Sequence, residues 1–162
     1  MKLPFPGQTF CIDTSALIDL AHNYPKDVFA PLWAKMEQAV REGRLLAPHE
    51  VLEEIKAYKG KQEEPRGWAR AQAGMFVQLT DEQLSVVGAI LATHRELVDH
   101  DKTIPDADPF VIALAKAEGG TVVTSERPAR LGQRPKIPDV CAAYGVPCLD
   151  LVEFFRAMGW AL

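Results

Sequence analysis

Cys11-Ile12-Asp13-Thr14-Ser15-Ala16-Leu17-Ile18-Asp19-Leu20 is a short apolar run that closes on an acid, then two hydroxyl residues, then a helix-like segment. A buried strand would stop at Asp13 and leave its carboxylate at the mouth of the fold. Open α/β sheets take their ligands outside the carboxyl ends of the strands, so an acid there suits a metal or phosphate site. The competing reading is structural, with Asp13, Thr14 or Ser15 capping the next helix. The segment alone leaves both open.

Further along the chain, strands are expected at about 8–13, 44–47, 121–124 and 146–149. Helical spacing covers about 14–23, 28–42, 48–58, 68–77, 80–98, 108–118, 138–144 and 151–158. Thr80 with Gln83 three residues later is a capping box, and Leu84, Val87, Leu91, His94 and Val98 form the apolar stripe behind it. The segment 59–67 reads as a polar connection, and 125–137 as a long loop. Strands alternating with helices predict a three-layer α/β/α fold with a central, mostly parallel sheet of about four short strands.

The bulk numbers narrow the class. A chain of 162 residues, 48% hydrophobic, suits one globular domain spanning 1–162. A net charge of -4 with that hydrophobic content excludes a disordered chain and argues against an undirected nucleic-acid coat protein. Cys11, Cys141 and Cys148 form no CxxC pair and no even set, which points to reduced thiols in the cytoplasm. Residues 1–7 carry no signal-like stretch, and the most apolar long segment, 86–93, is too short to cross a membrane.

Four acids share a kind of position. Asp13 ends the first strand. On the helix after Pro48, Val51, Leu52, Ile55 and Tyr58 define one face; Glu54 lies at its border and Glu53 points into water. Asp108 precedes Pro109, which makes it either the N-cap of its helix or, if Asp106 caps, a first-turn residue free to project outward. Glu126 follows the strand at 121–124 as Asp13 follows the first. If these carboxylates converge they need a counterion, since two of them ~4 Å apart repel by about 4 kcal/mol at an effective dielectric near 20. All-oxygen ligands select hard cations, chiefly Mg²⁺ or Mn²⁺. His22, His49, His94 and His100 show no zinc-like spacing. Carboxylate-held Mg²⁺ would activate water and neutralise charge on a phosphodiester. Ser15 would orient Asp13 or a water.

The chain resembles the PIN-domain family of metal-dependent ribonucleases over nearly its whole length. The resemblance rests on Phe10-Cys11-Ile12-Asp13-Thr14-Ser15-Ala16-Leu17-Ile18, Val51-Leu52-Glu53-Glu54-Ile55, Ala107-Asp108-Pro109-Phe110-Val111-Ile112-Ala113-Leu114-Ala115 and Val122-Val123-Thr124-Ser125-Glu126. It implies that Asp13, Glu54, Asp108 and Glu126 form the catalytic and metal-binding set, with Thr14, Ser15 and Ser125 in support. The family's fourth acid is usually Asp, so Glu126 departs from the pattern and Asp139 stands as a substitute. Lys136-Ile137-Pro138-Asp139-Val140-Cys141 and Gly159-Trp160 are similar to one prokaryotic branch of the family. Many small members look like VapC-type toxins, which cleave RNA and are silenced by a co-expressed antitoxin; homodimers are common among them.

Arg127, Arg130, Arg134 and Lys136 give the loop at 125–137 a basic character suited to an RNA backbone. Lys56, Lys59 and Lys61 add a second basic edge; ordinary solvated charge is the competing reading, and for this second edge the two readings stand level. The rival to the nuclease reading is a PIN-like module that binds RNA or a protein without cleaving. A haloacid-dehalogenase-type phosphatase needs a second acid two residues after the nucleophile, where Ser15 stands. A receiver domain wants paired acids before the first helix.

Overall fold

The computed structural model describes residues 8–60, 63–100 and 106–162. Lys61, residues 1–7 and most of the loop expected near 99–105 lie outside them. The strands are β1 (Phe10–Ile12), β2 (Leu45–Pro48), β3 (Phe76–Val77), β4 (Thr121–Val123) and β5 (Cys148–Leu149). They form one parallel sheet in the order β3-β2-β1-β4-β5. The helices are α1 (Thr14–Asn23), α2 (Ala30–Arg41), α3 (His49–Ala57), α4 (Arg66–Ala71), α5 (Asp81–Thr93), α6 (Asp108–Glu118), α7 (Ile137–Tyr144) and α8 (Leu151–Ala157).

This is the expected α/β arrangement with one strand more than anticipated. The helix expected at 68–77 ends early, and Phe76–Val77 pairs instead with Ala47 and Pro48 as an edge strand. Such a short strand owes its conformation to the free edge of β2 and leaves almost no periodic signal of its own. The Thr80 capping box forms as read. The buried face of α5, however, is carried by Val87 and Ile90, while Leu84 is exposed. His94 ends that helix half-buried, with its ring against Tyr144.

All three residues of β1 are fully buried, as befits a central strand covered on both faces. Phe10 packs edge-on against Phe154 of α8 at 4.9 Å, and Trp33 of α2 against Trp68 of α4 at 5.4 Å. Gly119 closes α6 at φ +61°, in the left-handed region that glycine enters freely. The next glycine lets the chain press against β1: a Cβ at Gly120 would stand 2.6 Å from the Thr9 carbonyl oxygen. That close approach brings β4 into register beside β1, with Cys11 facing Val122 and Ile12 facing Val123.

The sheet order creates a switch point. From β1 the chain builds outward to β2 and β3 on one side, then crosses to β4 and β5 on the other. Adjacent loops leave the carboxyl ends of β1 and β4 in opposite directions and open a crevice between them.

Candidate metal centre

Asp13 is the residue immediately after β1 and is 2% exposed. Its Oδ1 accepts from the Ala16 N–H at 2.8 Å, so it does cap α1. The capping and functional readings of this residue are therefore not exclusive. Ser15 Oγ lies 2.9 Å from both carboxylate oxygens, and Thr124 Oγ1 donates to Oδ2 at 2.5 Å. Thr124, just beyond β4, also accepts from the Glu126 N–H at 3.1 Å. One buried hydroxyl thus ties the end of β1 to the turn after β4. Ser15 Oγ accepts in turn from the Ser125 N–H at 3.1 Å.

Thr14 turns the other way and donates to Glu54 Oε1 at 2.7 Å, linking α1 to α3. Glu53 faces water, with His49 Nε2 at 3.1 Å and Lys56 Nζ at 3.5 Å from its Oε1, as the helical face predicts. Asp108 is the first residue of α6 and Ala107 is the N-cap; the Asp106 carboxylate accepts from the Asp108 N–H at 3.2 Å. Of the two arrangements open from sequence, the structure takes the one that leaves the Asp108 side chain uncommitted to capping.

These residues meet. Asp13, Glu54, Asp99, Asp106, Asp108 and Glu126 line one cleft of about 400 Å³ at the switch point. Carboxylate oxygens of Glu54, Asp106 and Asp108 lie within 4.8 Å of one another. Arg134 and Lys136 line the same cleft. Glu126 reaches it too, although its Oε2 accepts from the Ile137 N–H at 2.9 Å.

Other expected contributors lie elsewhere. Ser125 Oγ donates to Asp19 at 2.9 Å, and Arg127 leans toward Asp150 at 3.8 Å; both line a separate hollow of about 240 Å³. Arg130 is exposed and lines neither. Asp139 Oδ2 accepts from the Lys136 and Ala129 N–H groups at 2.7 and 2.9 Å, holding the start of α7 outside the cleft. Asp106 and Thr124 escaped the sequence reading as site residues. An acid two positions before Asp108 is indistinguishable from a cap, and a threonine in a β-branched run reads as strand.

Burial dominates the electrostatics. It pushes the Asp108 carboxyl up to about 9, and the negative fields of Asp106, Glu126, Asp13 and Glu54 add to the rise. Burial pushes Asp13 up to about 7 against the hydrogen bonds from Thr124, Ala16 and Ser15, which favour the anion. Among the described residues, no lysine or arginine forms an ion pair with Asp13, Asp108 or Glu126. A cluster of hard oxygen donors with surplus negative charge fits a divalent cation of the Mg²⁺ class.

An open parallel sheet with acids gathered at its switch point defines an α/β protein with a carboxylate-lined ligand site. The fold is similar to that of a chain in the crystal structure of VapBC2 from Rickettsia felis bound to a DNA fragment from their promoter. That match has a TM-score of 0.53 and 11% identity, and covers 88% of this chain and 98% of the other. The chain belongs to the family described as Domain of unknown function (DUF4411), which matches residues 10–162. No curated protein matches the sequence. Among the described residues, no helix is long and apolar enough to cross a membrane.

Proposed function

We propose that the chain is a metal-dependent endoribonuclease that hydrolyses RNA phosphodiester bonds, acting from a single PIN-like domain as the toxin of a toxin–antitoxin pair. The observation that carries this reading is the convergence of Asp13, Glu54, Asp106, Asp108 and Glu126 on one cleft at the carboxyl ends of β1 and β4. Glu54, Asp106 and Asp108 would hold Mg²⁺ or Mn²⁺, with Asp13 and Glu126 beside them. When bound, such an ion supplies water activation and charge neutralisation for in-line attack at phosphorus.

The chain's own groups do the rest. Ser15 and Thr124 hold the Asp13 carboxylate in one orientation, and Thr14 does the same for Glu54. Arg134 and Lys136 face the cleft from the loop side and bind backbone phosphates there. Hydrolysis needs no covalent intermediate, because the nucleophile is water. The likeness to a chain of the VapBC2 complex, taken with the PIN-type motifs, supports a cognate antitoxin protein as partner. A cytoplasmic setting and a homodimer belong to the reading through the family resemblance alone.

A second reading, a PIN-like module that binds RNA or protein without cleaving, draws on Glu126, whose Oε2 is already engaged by Ile137. Purified protein with Mg²⁺ or Mn²⁺ is expected to cut single-stranded RNA, while Asp13→Asn and Asp108→Asn are not. Equal cutting by wild type and both variants would show that the activity comes from elsewhere. Metal binding without cutting by the wild type would favour the second reading.

A further inference from the structure

We infer that single-stranded RNA leaves the carboxylate cleft over Arg134 and continues into the adjoining groove, where Arg134 and Arg95 hold phosphates flanking the scissile one. The inference rests on the nuclease reading for the identity of the strand, and on the surface beside the cleft for its path.

That surface is a groove of about 600 Å³ lined by Arg95, Glu96, Val98, Asp99, His100 and Arg134. Asp99 and Arg134 also line the carboxylate cleft, so the two hollows share a wall and run into each other. A third hollow of about 330 Å³ shares Arg95 and Glu96 with the groove and Pro135 with the cleft. The loop carrying Arg134 and the short helical turn at Arg95–Leu97 therefore bound one continuous channel.

Arg134 is held ready for an anion. Its Nε donates to the Glu96 carbonyl at 2.9 Å, which fixes the plane of the guanidinium between the two hollows. Its terminal nitrogens have no protein partner among the described residues, and the same is true of the Arg95 guanidinium. His100 Nε2 bonds to the Arg95 carbonyl at 2.9 Å, so the turn of main chain that carries Arg95 is tied down at the groove. A guanidinium anchored through Nε keeps its two outer N–H groups for a phosphate, the fork geometry that suits a tetrahedral oxyanion. The two hollows meet along the wall formed by Asp99 and Arg134, and a flexible single strand can follow that shared wall from one into the other.

The test is equilibrium binding of the full chain, with Ca²⁺ replacing Mg²⁺, to labelled single-stranded RNA of about twelve nucleotides, within the ~4–16 that single-strand sites span. A fragment of about three nucleotides serves as the short probe, and a salt series is run on both. Arg134→Ala and Arg95→Ala are each expected to weaken the long RNA about fivefold and to flatten its salt dependence by ~0.7 in log–log slope. Arg95→Ala should leave the short fragment unchanged, and Arg41→Ala on α2 should leave both unchanged. Arg95→Glu should weaken the long RNA further; its exposed site makes loss of folding an easily excluded explanation by circular dichroism. If Arg95→Ala and Arg95→Glu bind both RNAs as wild type does, the path is wrong, even if wild type cuts RNA. If the variants behave as expected but wild type with Mg²⁺ or Mn²⁺ never cuts, the path stands and the nuclease reading falls. Preferential binding of duplex RNA of equal length would also overturn the path.

Discussion

Asp13 and Asp108 are both acids set at the open end of the sheet, yet their surroundings differ. Asp13 sits in a cradle of donors: two hydroxyls and a main-chain N–H meet its oxygens. Asp108 has Asp106, Glu126, Asp13 and Glu54 as its electrostatic neighbours, all of which oppose its charge. A carboxylate with donors keeps one orientation whether or not an ion is present. A carboxylate among carboxylates holds a proton until a cation arrives. The first fixes the geometry of the site and the second supplies the drive to bind metal.

Removing either charge tests that division most strongly. Asp13→Asn and Asp108→Asn are each expected to cost about a thousandfold in RNA cleavage, within the range of losses when charge stabilisation at a reacting centre is removed. Their effects on the metal-free fold should part company. Thermal melting without divalent ions is expected to show Asp108→Asn gaining several degrees and Asp13→Asn gaining less. Melting temperatures lowered equally in both would erase the distinction.

Proton linkage gives the next effect. Asp13 rises from 3.8 to about 7 and Asp108 from 3.8 to about 9, so the folded chain binds more protons than the unfolded chain between those values. Their contribution to metal-free stability is complete below about pH 4, and is lost progressively as pH rises through 7 for Asp13 and 9 for Asp108. Bound metal must displace those protons, so Mn²⁺ affinity by calorimetry should increase with pH over the same window, by about tenfold per unit for each proton released. A pH-independent affinity would mean that neither acid is a ligand.

Thr124→Val removes the donor to Asp13 and the acceptor for the Glu126 N–H together. Cleavage should fall about tenfold, with a stability loss of about 1–2 kcal/mol for the orphaned groups, and Thr124→Ser should restore most of both. The smallest effect belongs to Asp139→Asn. It should cost about 1 kcal/mol by weakening two hydrogen bonds to a charged acceptor, with cleavage kinetics unchanged. A large activity loss there would reinstate Asp139 as the fourth acid.

Much of this was legible in the chain because burial and geometry write themselves into local pattern. The β-branched and apolar runs around Ile12 and Val123 announced central strands, and the α3 face separated Glu54 from Glu53 by angle alone. The β3 pair was not legible, since its conformation comes from the edge of β2 rather than from its own residues. Asp106 and Thr124 were hidden for a related reason: their roles depend on what stands opposite them across the switch point. Of the basic loop, only Arg134 and Lys136 face the cleft, a choice made by the path of the main chain and invisible in charge counting.

The most direct test is the crystal structure of the protein soaked with Mn²⁺, read by its anomalous signal. The expected result is a peak bounded by Glu54, Asp106 and Asp108, with Asp13 facing it, and no such peak in Asp108→Asn. A strong Mn²⁺ peak away from these carboxylates, with none among them, would contradict it.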